Sequence, residues 1–258
     1  MLGSYKDTGV QRITNRTVGL MLPHLVLMPG LYGTGELFEP FSAILPAGVA
    51  TTTISYPADA GLNFSELVAG VLRSLPRDKK YVLIAESFSG PIALRVASAA
   101  PAGLSAVVLS TTFIKAPVSG LLGFLKRRFG AVFFRARPRE FALRYFLLGR
   151  EAPRGLVTQT ADIVRALSPQ LMASRADMAL DMDVEDDLRR SQYPILYLRG
   201  TRDHLIRKRT ADEMLLIKPA MRLRNIDGPH CLLQVKPIEC WQAINEFLAD
   251  AGLQGAVH

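Results

Sequence analysis

Tyr81-Val-Leu-Ile-Ala-Glu-Ser-Phe-Ser-Gly90 decides how this chain is read. Its first four residues form an apolar run of the buried-strand type. From Ser89 to Ala100 the residues are small and apolar, as in a helix laid tightly on a sheet. Between the two signals, Ala85 and Ser89 stand two residues before and two after Ser87. A strand that turns directly into a helix at a serine leaves room only for small side chains at those positions. Such a turn strains the serine, lifts its hydroxyl above the strand ends and aims the helix N-terminus at whatever lies there. Glycine is commoner at both places, but Ala85 and Ser89 meet the same steric demand.

Outward from that turn, strand and helix signals alternate. His24-Leu-Val-Leu-Met28 is an apolar run closed by Pro29-Gly30, and Thr51-Thr-Thr-Ile-Ser55 is β-branched and ends before Pro57. Phe64, Leu67, Val68, Val71 and Leu72 mark one face of a helix over 63–75. Residues 106–109, 194–198 and 221–226 read as strands, and 209–217 and 237–251 as helices. Near-continuous apolar strands alternating with helices imply an α/β fold with a mostly parallel sheet, flanked by helices on both faces. Residues 112–190 contain no clear strand. Leu121, Leu122, Leu125, Phe129, Val132 and Phe133 recur at helical spacing, and further helices are predicted over 139–149, 153–166 and 168–190. The chain thus divides into a core, residues 1–111 and 191–258, and an all-helical insertion, residues 112–190.

A serine hydroxyl is a weak nucleophile. It needs a base, and the base needs an acid to orient it. Asp203 follows the strand at 194–198 in Arg199-Gly-Thr-Arg-Asp-His-Leu-Ile206, and His230 follows the strand at 221–226 in Asp227-Gly-Pro-His230. Both lie just past the C-terminal end of a strand, where open α/β sheets place their sites. The other histidines fit less well: His24 precedes a strand, His204 adjoins Asp203, and His258 is terminal. Asp227 is a rival acid, but three residues before His230 it reads as part of the turn. Glu86 is read as a solvated or structural carboxylate, and Cys231 as the neighbour of the base and not as a nucleophile.

With Ser87, Asp203 and His230 in that chain order, and with Met28-Pro-Gly-Leu-Tyr-Gly-Thr-Gly35 after the first core strand, the chain resembles the α/β-hydrolase superfamily, of the serine esterase and lipase kind. The resemblance covers about residues 22–111 and 192–250. It implies that the N–H groups of Leu31 and Phe88 form an oxyanion hole and that residues 112–190 form a cap over the site. It also implies acyl transfer from a carboxylic ester to water without metal or cofactor. A serine in the turn argues against dehalogenase and epoxide hydrolase chemistry, which uses an aspartate there in similar proteins. Thioesterase or acyltransferase chemistry, carbon–carbon or amide-bond hydrolysis, and ligand binding without turnover remain alternatives on the same fold. Phe113, Phe124, Phe129, Phe133, Phe134, Phe141 and Phe146 either line an apolar acyl pocket or form the cap's own core.

Composition narrows the setting. The chain has 258 residues, 49% of them hydrophobic, enough for one domain with a full core. Two cysteines make neither a disulfide framework nor a zinc pattern. The net charge is +8, and residues 115–175 alone hold 12 Lys and Arg against three Asp and Glu. Within them, the basic amphipathic stretch 120–137 is either a solvated face or a weak membrane-surface contact. No nucleic-acid recognition motif accompanies the charge. Each long uncharged stretch is broken by proline and glycine, so no membrane span is read. A cytoplasmic enzyme acting on a small acyl ester is expected, with the oligomeric state left open.

Overall fold

The apolar strand runs are buried end to end because helices cover both faces of the sheet. The computed structural model describes residues 11–15 (backbone only), 22–116 and 139–253. The strands are β1 (Gln11–Asn15), β2 (His24–Met28), β3 (Thr51–Ser55), β4 (Tyr81–Glu86), β5 (Leu104–Ser110), β6 (Ile195–Gly200) and β7 (Arg222–Ile226). They form one sheet in the order β1-β3-β2-β4-β5-β6-β7. The β1–β3 pairing is antiparallel and every other pairing is parallel.

The two-residue period of a strand divides each run between two cores. Val26, Met28, Leu83, Ala85, Val107, Leu109 and Tyr197 face α2 (Phe64–Ser74) and α3 (Ser89–Ser98). Leu25, Leu27, Val82, Ile84, Ala106, Val108, Leu196 and Leu198 face Phe38 and Phe41 on one side of the chain and Ile244, Phe247 and Leu248 on the other. Phe41 sits in α1 (Glu39–Ala43). α2 opens on a capping box: the Asn63 side chain accepts the Glu66 N–H at 3.0 Å, and the Glu66 carboxylate accepts the Asn63 N–H at 2.8 Å.

Between β5 and β6 the regular elements among the described residues are helices, apart from a single Lys115–Asp183 bridge. A helical turn at Glu140–Leu143 widens through Arg144–Leu148 and is followed by α4 (Arg154–Ala166) and α5 (Pro169–Asp181). Leu148, Leu156, Val157 and Ile163 pack on Leu37 and Cys231, which places this segment against the loops at the C-terminal ends of the strands. The helix expected over 168–190 is two helices. Asp183 pairs with Lys115 and takes the Glu185 N–H at 3.1 Å, which breaks the run before α6 (Glu185–Arg190). α6 leaves the insertion and packs on α3, where the buried Asp187 carboxylate accepts Arg95 Nε–H at 2.7 Å and the Ser98 hydroxyl. α7 (Arg209–Ile217) and α8 (Pro237–Asp250) complete the layers.

Stretch 120–137, with Phe124, Phe129, Phe133 and Phe134, lies outside the described residues, as does His258. Of the remaining phenylalanines expected in the insertion, Phe113 is buried in the core, whereas Phe141 and Phe146 are exposed. Among the described residues, no helix is long and apolar enough to cross a membrane.

The Asp187 contacts make α6 part of the folded core. Asp187→Ala is expected to lower unfolding free energy in urea by about 1–3 kcal/mol, because two donors lose a buried acceptor. Asp186→Ala, which removes only an exposed pair with Arg189, should stay within about 0.5 kcal/mol of wild type.

Candidate active site

Ser87 joins β4 directly to α3 with φ of 49°, a left-handed backbone that a non-glycine residue adopts only when its surroundings impose it. The surroundings are visible. Ser87 N–H donates to Ser110 C=O at 2.9 Å, and Ser87 C=O accepts the Gly90 N–H at 3.0 Å and the Thr112 hydroxyl. Gly90 carries no Cβ because one there would run into the Thr112 side chain. Ser89 is small enough for the turn and also ties it down: its hydroxyl donates to Pro29 C=O and is bonded to the Tyr56 hydroxyl.

Asp203 and His230 arrive on the two neighbouring loops. Asp203 Oδ1 accepts the Leu205 and Ile206 N–H groups at 2.7 and 3.0 Å, a local turn that leaves Oδ2 free to face His230 Nδ1 at 2.9 Å. On the other side of the ring, His230 Nε2 lies 2.9 Å from Ser87 Oγ. The His230 loop rests on the end of β6. A Cβ at Gly200 would collide with the carbonyls of Gly228 and Pro229, and Thr111 Oγ1 donates to His230 C=O at 2.8 Å. Thr111 itself holds φ of 44°, unusual for a β-branched residue. The His230 and Asp203 side chains are each 5% exposed. Burial alone lowers the His230 pKa. The Asp203 charge and hydrogen bond outweigh it and hold the pKa above the ordinary 6.5.

The Gly33 N–H closes a turn onto Gly30 C=O at 3.0 Å. The trans peptide then points the Leu31 N–H away from that bond. A Cβ on Gly30 would lie 3.7 Å from Ser87 Cβ, so this turn passes beside the serine. Phe88 N–H stands at the N-terminus of α3, where helical N–H groups have no intrahelical acceptor. The Phe88 ring is buried edge-on to Tyr56.

The rival residues are engaged elsewhere. Exposed Asp227 pairs with Arg202 at 2.7 Å, His24 Nε2 bonds Thr52 Oγ1 at 2.7 Å, and His204 stacks on Tyr145. Glu86 is buried, not solvated. It accepts Gln234 Nε2–H at 2.8 Å, and desolvation raises its pKa. Cys231 and Cys240 are buried free thiols, and burial pushes both up in pKa. Among the described residues, no group of three or more His, Cys, Asp or Glu is arranged to hold a metal ion. Sequence reading did not single out Thr111, Thr112 or Arg175, whose side chains meet the site loops only through tertiary contacts.

The chain belongs to the alpha/beta hydrolase family, whose model matches residues 25–242. Among solved structures it is similar to a bromoperoxidase from Bacillus anthracis (18% identity, TM-score 0.76, covering 93% of this chain and 96% of that one). It is also similar to the enol-lactonase from Burkholderia xenovorans LB400 (15% identity, TM-score 0.72, 94% and 95%). A third is a lipase-esterase related protein from Clostridium acetobutylicum ATCC 824 (14% identity, TM-score 0.73, 92% and 99%). At these identities the likeness shows the fold alone. No curated protein sequence matches the chain.

Two measurements check the local account. Gly90→Ala is expected to destabilise the protein by about 1–3 kcal/mol through overpacking. Adding Thr112→Ala should recover part of that loss, a coupling that a double-mutant cycle in urea reads directly. Native protein at pH 8 should leave Cys231 and Cys240 unreactive towards a disulfide reagent such as dithionitrobenzoate, and both should react once the chain is unfolded.

Proposed function

We propose that this protein is a serine hydrolase that cleaves carboxylic esters through an acyl-enzyme on Ser87. The observation that carries this reading is the hydrogen-bonded chain Ser87 Oγ–His230–Asp203, set on a strained turn above the sheet. In this mechanism His230 Nε2 takes the Ser87 proton as Oγ attacks the ester carbonyl. The Leu31 and Phe88 N–H groups receive the negative charge that develops on the carbonyl oxygen, aided by the N-terminus of α3. Asp203 fixes the tautomer and supports the imidazolium. The proton then passes to the leaving alcohol, and His230 activates a water to release the acid.

The helical segment between β5 and β6 acts as a cap in this reading, because it packs on the loops that carry the site. A small acyl ester is the proposed substrate class. Ester chemistry is in keeping with two of the structures of like fold, an enol-lactonase and a lipase-esterase related protein.

Hydrolysis of p-nitrophenyl esters from acetate to palmitate tests the proposal. Ser87→Ala is expected to lower kcat at least about 10³-fold, with the chain-length profile sizing the acyl site. Equal, slow rates in both proteins would overturn the ester reading. The base must be neutral to act, so kcat/KM should rise with pH through an inflection above the ordinary 6.5 of histidine. Removing the charge that raises this pKa, in Asp203→Asn, should move the inflection down and cut kcat by about 10³- to 10⁴-fold, read from the pH–rate profile.

A further inference from the structure

Arg175, on α5, is 3% exposed and has no carboxylate within ion-pair distance among the described residues. A buried guanidinium without a counter-ion is costly unless its N–H groups are met. Here backbone carbonyls meet them. Nη1 donates to Leu31 C=O at 2.9 Å and Tyr32 C=O at 2.7 Å, and Nη2 donates to Pro57 C=O at 2.9 Å. The guanidinium also lies 6.0 Å from the Tyr56 ring centre, whose hydroxyl is bonded to Ser89. Space has been made for it: Gly33 holds φ of 73°, and a Cβ there would run into Nη1.

The two carbonyls on Nη1 are those of the central residues of the turn closed by Gly33 N–H to Gly30 C=O. The Leu31 N–H belongs to the preceding Gly30–Leu31 peptide, whose carbonyl is held by the Gly33 N–H; a change of turn shape through the next two peptides would break that bond and let the Leu31 N–H turn. Two hydrogen bonds from one rigid, charged donor oppose it. The donor comes from the helical segment and not from the sheet, so seating of α5 and orientation of the turn are linked.

We infer that Arg175 is a positioning residue: it holds the Gly30–Gly33 turn so that the Leu31 N–H faces the oxygen that becomes negatively charged during attack by Ser87. The inference rests on the ester-hydrolase reading above and goes beyond it by making the helical segment responsible for a fixed part of the oxyanion site. Because the developing charge exists only in the transition state, loss of Arg175 acts on kcat and spares KM.

The test compares wild type, Arg175→Lys and Arg175→Gln on the p-nitrophenyl ester turned over best. Their inhibition by a trifluoromethyl ketone of matching chain, which forms a hemiketal oxyanion on a serine, is measured alongside. Arg175→Gln is expected to lower kcat about 10- to 100-fold with KM within about twofold. The ketone Ki should rise by the factor that kcat/KM falls, and Arg175→Lys should fall between the two. If Arg175→Gln does not fold, Arg175→Lys carries the test by itself and is expected to lower kcat, with KM within about twofold and the ketone Ki rising in step. Folded variants that keep wild-type kcat, or that lose only KM with the ketone Ki unchanged, overturn the inference and leave the ester reading standing. A wild type without Ser87-dependent turnover overturns both.

Discussion

One backbone conformation organises the site: the left-handed turn at Ser87. It is imposed by contacts on three sides. Thr112 takes the serine carbonyl, Gly90 leaves the volume that Thr112 fills, and Ser89 fastens the turn to Pro29 and Tyr56. Thr112, Pro29 and Tyr56 follow three different strands, β5, β2 and β3, so the strain at Ser87 is held only in the fully folded sheet. In return, Oγ stands clear of β4 at the N-terminus of α3, within 2.9 Å of a histidine from a remote part of the chain.

The parallel order of the sheet explains why that histidine is there. β5 and β6 follow β4 in space, with β7 at the edge, so the loops after β4, β6 and β7 open on the same side. Tight stitching sets the spacing between them. Gly200 admits the backbone of residues 228–229, and Thr111 reaches from the end of β5 to the His230 carbonyl. Asp203 uses one carboxylate oxygen to shape its own loop and the other to meet the ring. Burial of the pair removes competing water and strengthens the interaction that fixes the imidazole.

Much of this was legible in the sequence, for physical reasons. Doubly covered parallel strands must be continuously apolar, and so the runs at 24–28, 81–84 and 106–109 marked themselves. The serine turn was legible because its geometry admits only small flanking residues. β1 was missed because Gln-Arg-Ile-Thr-Asn is a short polar stretch on the sheet edge, without the apolar run of a covered strand. The break before α6 was missed because Met182 and Val184 keep an apolar rhythm across it, and the pairing of Asp183 with Lys115 that causes it spans nearly 70 positions. Arg175 looked like one more charge in a basic segment, since its role depends on carbonyls more than a hundred positions away. Thr111 and Thr112 likewise carry no signal beyond the end of a strand.

The most direct measurement of the central claim is intact-mass and peptide mapping after brief exposure to a fluorophosphonate ester, which traps activated serines. The account predicts one phosphonyl group per chain, located on Ser87, formed rapidly in wild type and at least about 10³-fold more slowly when His230 is replaced by alanine. An unlabelled wild type, or a label on a different residue, would contradict it.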